Sequence, residues 1–391
     1  MTVRITKPEF NLREKLTELD KPSGVKGNEL LRSETTQEVR DLIGASRRNL
    51  IINGDMRIWQ RSGGDAVTGA ISLKFGPDRW MFEEGCGQLV TVLTRSTSTP
   101  PGQPFKYSFQ LSPSQAESAL DGGDFAQYMY FVEGYDFAPA QWGTENAKPC
   151  TLSFWFKTSM GGQHYVSFNS FSGVDTWSTS ITSKADVWKR HVITVPPPMT
   201  GTWNTTTGRG LEIRIGLMKS GNVTVANSEQ WYHGGSNYNG FADAHSNWAF
   251  DTSNNAYLTG VQLEIGSQAT EFEHRSFTEE MALCHRYYQQ IEGYSDLIMF
   301  GSGRANGTSE AQVAVPLTVP LRGSPSIPSL DYSAWGISNA TGTTNGQPTV
   351  TRWFEDSSII HLAFPSSGLD NARPVVVSCR NGSTLQLNSE I

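Results

Sequence analysis

The sequence predicts a mainly β chain: a short N-terminal helical leader, a central jelly-roll-like β-sandwich, a linking helix and a small C-terminal β-domain. Three observations carry that prediction. In Tyr257–Ile265, the apolar Val261, Leu263 and Ile265 alternate with Gln262 and Glu264, the period of two that marks a strand with one buried face. Charged residues make up only 18% of the 391, while Gly numbers 38 and aromatics reach 11%, a turn-rich profile well below the ~25% charge of an average soluble domain. Behind that strand, Ser276 with Glu279 forms a capping box, and Phe277, Met281, Cys284, Tyr287 or Tyr288, and Ile291 recur at helical spacing. The divisions that follow are 1–48 for the leader, 49–275 for the sandwich, 276–292 for the helix and 293–391 for the last β-domain.

In the leader, Thr6 with Glu9 caps one short helix, and Leu12, Leu16 and Leu19 fall on a single face. A second helix, capped by Thr35 with Glu38, presents Val39, Leu42 and Ile43 and stops at Gly44. Two such helices are too short to hold a core of their own. Their six apolar residues therefore need a partner, either the chain's own sandwich or other subunits. The sequence Ser46-Arg47-Arg48 reads as a joint.

Strand signals begin at Asn49. Leu50, Ile51 and Ile52 run into the turn dipeptide Asn53-Gly54. In Thr151–Ser170, Leu152, Phe154 and Phe156 share one face and Ser153, Trp155 and Lys157 the other, with Met160-Gly161-Gly162 as the expected turn of a hairpin. The register that sets Leu152 opposite Phe168 also sets Trp155 opposite Tyr165. That aromatic pair is a sugar-stacking platform, a subunit interface, or a surface covered by another part of the chain. Leu211, Ile213, Ile215 and Leu217 make a further strand, with Glu212 and Arg214 facing outward.

Lys219–Ala256 has little periodicity and exceeds the ~12–15 residues of an ordinary loop. Its rings sit among Gly, Ser and Asn, a composition in which rigid aromatics supply contact area and small polar groups adapt. One or two of Trp231, Tyr232, Tyr238 and Trp248 are expected at a surface site, the rest covering the sandwich. Beyond the helix, Leu297, Met299, Val313 and Val315 flank Asn306-Gly307, and Val375, Val377, Leu385 and Leu387 flank Asn381-Gly382, as two hairpins. Trp335 and Trp353 are the exposed-ring candidates of this end.

Chemistry is harder to find. No GxSxG, HExxH, Walker or GxGxxG element stands in a fitting strand–helix context. Glu83-Glu84 and Glu279-Glu280 are sequence neighbours, which a strand points apart and a helix sets about 100° apart, so neither makes an acid/base pair. The chain is expected not to be an enzyme and to need no cofactor. Cys86, Cys150, Cys284 and Cys379 are too widely spaced for a metal site and read as small buried hydrophobes. His233 and His245 have no helpful spacing, and no metal is expected. A net charge of −7 argues against nucleic acid, and the lack of a long apolar run argues against membrane insertion.

The phrases NLIINGDMRIWQRSGG, DVWKRHVITVPPPMTGTWNTTTGRGLEIRIGL and LTGVQLEIGSQATEFEHRSFTEEMALCHRYY are similar to segments of bacteriophage tail-fibre and receptor-binding proteins, most of all those of phages infecting cyanobacteria and other marine bacteria. The leader phrase KPSGVKGNELLRSETTQEVRDLIGA resembles the virion-attachment end of such proteins. Asp78-Arg79-Trp80 resembles the DRW motif of that family, which implies a buried indole with an ion pair beside it. The sandwich itself resembles a carbohydrate-binding module. In sugar-binding sandwiches with a similar opening, a carboxylate after the Asn-Gly and an Asp on the last strand hold a structural calcium. Here the last strand offers Thr259-Gly260, so that metal is not carried over. The resemblance implies a virion fibre protein made in the host cytoplasm, homotrimeric, joined to other virion proteins by its leader and binding a host surface glycan or receptor through exposed rings. The alternative is a structural virion component, a capsid-decorating fibre or adaptor, whose β-domains serve assembly.

Overall fold

The computed structural model describes residues 48–62, 73–171, 175–220, 229–233, 247–292, 298–328, 335–337, 347–354, 356–379 and 384–390. The expected chemistry of Tyr238, the His245 partner and the leader residues Leu12, Leu16, Leu19, Val39, Leu42 and Ile43 lies outside those residues.

Among the described residues, twelve strands build two facing antiparallel sheets. One has β1 (Leu73–Phe75), β2 (Trp80–Glu84), β5 (Phe125–Glu133), β10 (Arg209–Lys219), β7 (Gly162–Asn169), β8 (Asp175–Ser183) and β11 (Tyr232–His233), side by side in that order. The other has β3 (Val90–Ser96), β4 (Ser108–Gln115), β12 (Ala256–Ile265), β6 (Cys150–Thr158) and β9 (Lys189–Val195). The alternation read from the sequence explains the packing. Phe109, Leu111, Leu152, Phe154, Phe156, Leu258 and Leu263 from one sheet join Trp80, Phe82, Tyr128, Tyr130, Val166, Phe168, Ile213 and Ile215 from the other in one core. Phe109 and Tyr128 meet edge to face at 5.1 Å, an arrangement that suits the ring quadrupoles.

The opening segment is tied to β12 by scattered backbone and side-chain bonds rather than as a strand. The Asn49 carboxamide oxygen accepts from the Leu263 and Ile51 amides, and the Val261 amide donates to the Gly54 carbonyl at 2.9 Å. A Cβ on Gly54 would meet the Val261 carbonyl oxygen at 2.1 Å, so only glycine allows this approach. Asn53 takes the left-handed backbone a turn needs, at φ 57°, and its amide nitrogen reaches the carbonyls of Ile58 and Asp78.

Two expected hairpins are not made. β6 and β7 pair with no residue of each other; β6 lies between β12 and β9, and β7 between β10 and β8. Leu152 and Phe168 are both buried, each reaching the core from its own sheet. The same alternating pattern serves two strands joined by a turn and two strands facing across a sandwich, and here Gly161 and Gly162 carry the chain from one sheet to the other. Trp155 and Tyr165 consequently stand on opposite outer faces. Likewise β19 (Pro374–Cys379) joins the six-stranded C-terminal sheet, whereas β20 (Thr384–Asn388) pairs with β13 (Tyr288–Glu292).

That last pairing also shortens the linking helix. α1 (Gly134–Phe137) is a single turn; α2 (Phe277–His285) is the helix announced by the capping box, with the Ser276 hydroxyl accepting from the Glu279 amide at 3.2 Å. It ends at His285, before Tyr287, Tyr288 and Ile291, because Tyr288–Glu292 is taken up by the ladder to β20. Phe277, expected on its buried stripe, is 55% exposed.

The C-terminal sheet runs β16 (Trp335–Ile337), β19, β14 (Ile298–Ala305), β15 (Glu310–Pro316), β18 (Ile359–Pro365) and β17 (Thr349–Arg352). The Asn306-Gly307 hairpin between β14 and β15 is present, with Gly307 at φ 74°. Val313, Val315, Ile360, Leu362, Val375 and Val377 fill a second core. A buried polar seam locks it to the sandwich. Arg79 pairs with Glu390, donates to the Phe131 carbonyl at 2.6 Å and lies 3.6 Å from the Tyr287 ring centroid. Glu133 receives Arg286 at 2.6 Å and the Tyr287 hydroxyl at 2.5 Å. The DRW reading of a buried indole beside an ion pair thus holds: Trp80 and Arg79 are each 1% exposed.

Candidate functional site

Strand parity decides which rings reach solvent. On β6 and β12, Leu152, Phe154, Phe156 and Leu258 point inward, so Ser153, Trp155, Lys157 and Tyr257 must point out. Register then places Lys157 beside Tyr257, and Trp155 between Thr259 and Arg190. Trp188, just before β9, completes the set, its indole 6.1 Å from the Tyr257 ring. The Lys157 ammonium lies 4.1 Å from Tyr257 and 5.5 Å from Trp188, and donates to the Ser98 hydroxyl at 2.8 Å. Partial burial pulls its pKa below the ordinary lysine range, against the opposing charge of Asp186. Trp155, Trp188 and Tyr257 are half-buried, Trp155 and Tyr257 held by their strands and Trp188 by the segment entering β9, each offering part of a ring to solvent.

Polar groups frame these rings. Gln110 is the register partner of Tyr257 on β4, and the Arg190 guanidinium donates to the Ser153 hydroxyl and to the Thr270 carbonyl at 2.6 Å. Such a surface can stack the apolar face of a sugar and hydrogen-bond its hydroxyls. Glu264, on the same face, accepts from the Thr270 amide and hydroxyl at 2.9 and 2.6 Å.

The remaining ring candidates fare differently. Tyr165 is fully buried; its ring lies along Gly216, and its hydroxyl donates to the Gln127 side chain at 2.6 Å. Glu212 and Arg214, expected to face solvent beside it, are also buried and pair with each other. Trp248 is fully buried against Phe82, 6.5 Å between centroids, and Trp335 is 1% exposed and stacked on Phe364 at 5.8 Å. These three are packing residues, placed there because a large ring recovers more free energy covering a core than standing in water. Trp231 is half-buried in a cluster with Trp142 and Trp203, and its indole donates to the Pro196 carbonyl at 2.7 Å. Tyr232 is 43% exposed on the short β11, where His233 meets Asp175 at 2.5 Å. Trp353 is half-buried against the C-terminal core.

Sequence reading missed Trp188 and Tyr257. The signal for Tyr257 was its parity with Gln262 and Glu264 across the Gly260 bulge; none existed for Trp188, whose position depends on how β9 joins the sheet.

Among the described residues, Cys86, Glu117 and Asp124 offer atoms within 4.8 Å of one another. Glu117 is already engaged by the Gln88 and Ser118 amides and Asp124 by the Asp121 amide. Burial together with the neighbouring Asp124 pushes the Cys86 thiol up to about 12, which keeps it protonated. No helix among the described residues is long and apolar enough to cross a membrane.

No family model matches the chain, and no curated protein matches it at a significant level. Among solved structures, the chain is similar to the enzymatically active domain of tailspike protein 4 of bacteriophage CBA120, at 13% identity over 56% of this chain and 21% of that one, TM-score 0.29. It is similar to TmCBM61 in complex with β-1,4-galactotriose, at 11% identity over 56% and 99%, TM-score 0.26. It is also similar to the family 11 carbohydrate-binding module of a cellulosomal cellulase of Clostridium thermocellum, at 15% identity over 53% and 100%, TM-score 0.25. The chain spans only about a fifth of the tailspike domain's length. Likeness at this level bears on neither activity nor ligand.

Proposed function

We propose that the chain is a fibre-type virion protein that binds a surface glycan of the host without chemistry, through the outer face of its five-stranded sheet. The observation that carries this is the arrangement of Trp155, Trp188 and Tyr257 as half-exposed rings around the Lys157 ammonium. Rings already packed against their neighbours lose little freedom when a sugar settles on them. The adjacent hydroxyl, amide and guanidinium groups provide the donors and acceptors that tell one saccharide from another.

In this reading the leader joins the protein to other virion components, as a homotrimer, and the strand-built part presents the sugar-binding face. The test is a chain lacking residues 1–48, measured for adhesion to intact host cells and for incorporation into particles. Adhesion kept and incorporation lost is the expected result. Absence of adhesion, in the full-length and shortened proteins alike, would favour a structural component of the particle instead; adhesion and incorporation both kept would remove the attachment role from the leader.

A further inference from the structure

The two sheets of the sandwich leave a cleft of about 480 Å³ between β8 and β9, within the ~300–1,000 Å³ of ordinary small-ligand sites. Alternation explains its floor. Trp177, Thr179 and Ile181 are every second residue of β8, so they share one face. Trp177, Ile181 and Ile193 of β9 belong to the core between the sheets, and all four residues line the cleft. β9 is the last strand of its sheet, and β11 pairs with β8 only at Asp175 and Thr176. Beyond that pair the chain returns at Glu229, whose amide donates to the Ser178 carbonyl at 2.7 Å. Among the described residues, the core therefore meets the surface here as a cleft rather than beneath a further strand.

Two polar groups of this cleft have bonding capacity left over. The Trp177 ring is fixed edge to face against Phe168 at 5.8 Å and is 3% exposed, yet its indole N–H has no acceptor. Buried indoles usually find one; that of Trp231 donates to the carbonyl of Pro196, another lining residue. Trp80 and Trp248 also have unpartnered indoles, but they do not line the cleft. Glu229 supplies the second group. One of its carboxylate oxygens accepts from the Thr179 hydroxyl at 3.1 Å, and the other has no partner among the described residues. Thr179 stands two residues from Trp177 on the same face, about 7 Å along the strand. An indole donor and a carboxylate acceptor thus flank one small apolar space.

We infer that this cleft is a second saccharide site, taking one neutral sugar ring, with one hydroxyl accepting from the Trp177 indole and another donating to the Glu229 carboxylate. The apolar side of the ring lies against Ile181, Ile193 and Pro196. A hydroxyl both donates and accepts, so a sugar satisfies both groups at once. A purely apolar occupant leaves both unpaired, and an acidic sugar meets the like charge of Glu229. The cleft is built from side chains other than those of the ring-bearing outer face and does not depend on that face. With both sites occupied by one branched or extended glycan, two weak contacts reinforce each other.

The experiment screens the full chain on a printed array of neutral and uronate-bearing saccharides, then titrates the best neutral binder into the chain with its indole nitrogens isotope-labelled. Trp177→Phe, which keeps an aromatic ring in the core, identifies the Trp177 N–H resonance; should that variant melt early, the rim variants Glu229→Gln and Val192→Arg decide instead. The Trp177 resonance should shift on titration, Glu229→Gln should weaken binding in the cleft about tenfold at an unchanged melting temperature, and the matching uronate should bind more weakly. A Trp177 resonance that stays still at saturation, or binding untouched by both rim substitutions, overturns the inference; shifts confined to Trp155 and Trp188 then leave the outer-face reading standing. Shifts at Trp177 alone uphold the cleft and remove the outer face. Binding to no saccharide on the array overturns both.

Discussion

The Lys157 ammonium and the Tyr257 ring are register partners on neighbouring strands, 4.1 Å apart on the outer face of the five-stranded sheet. A cation so placed orients the ring and offers donors beside it. Lys157→Met keeps the length of the side chain and removes both charge and donors. It should weaken glycan binding about three- to tenfold, the size of one partly exposed cation–π or hydrogen-bond contribution, and leave the melting temperature within a few degrees. Titration of both proteins with the same saccharide checks this.

The Arg79–Glu390 pair should behave as a stability element. Arg79 is 1% exposed and has the Phe131 carbonyl and the Tyr287 ring as further partners. Breaking a buried pair leaves an uncompensated charge and costs ~3–5 kcal/mol. Glu390→Gln should therefore lower the urea midpoint markedly and loosen the C-terminal sheet from the sandwich. Replacing both partners with apolar residues should recover part of the loss.

Gly216 and Tyr165 provide a steric test. A Cβ at 216 would stand 2.0 Å from the Tyr165 ring, so Gly216→Ala must expel that ring and break its bond to Gln127. A destabilisation of ~1–3 kcal/mol is expected, against about 1 kcal/mol for Tyr165→Phe. Denaturant titrations of the two variants check the order.

How far the sequence led is clearest at β6. Alternation in Leu152–Phe156 and again in Val166–Phe168 marks two strands with one face toward the core, and Trp155 and Lys157 fall on the outward side as read, but β7 is buried on both faces from His164 to Asn169. Pairing partners were another matter. Period two says which face is buried but not which strand lies alongside, and a sandwich lets consecutive strands sit in different sheets. So Tyr165 was assigned to the face of Trp155 when it lies on the opposite sheet. The Ser276–Glu279 capping box placed the start of α2 to the residue; its end was overruled by Tyr288–Glu292 pairing with a strand nearly a hundred residues on, which no local signal announces. Trp248 and Trp335 sit among small polar residues in sequence and yet fill cores, because ring area outweighs the polarity of neighbours.

Acid should destabilise the sandwich through two histidines. His164 is fully buried, with Nε2 2.8 Å from the Ser183 hydroxyl, and His191 is stacked on Phe154 at 5.5 Å. Burial lowers both to about 4; Lys189 and His164 add to the effect at His191. Since the unfolded chain binds these protons near 6.5 and the folded one only near 4, stability falls as pH drops through that window, by up to ~2–3 kcal/mol for each group. Asp55 and Glu84, raised by burial to about 6 and about 7, act in the opposite sense. The difference between wild type and His191→Phe isolates the histidine: the variant's melting temperature should decline less between pH 7 and pH 4.5.

The most direct measurement is saccharide binding by a chain stripped of its outward rings, Trp155→Ala with Trp188→Ala and Tyr257→Ala. These rings are half-buried on one outer face, so the variant should retain the wild-type β circular dichroism and a cooperative melt. Stacking contributes ~0.5–1.5 kcal/mol per ring beyond area, and removing all three should reduce affinity for the best array glycan, and adhesion to host cells, by more than about a hundredfold. A folded variant that binds as tightly as the wild type would contradict the account.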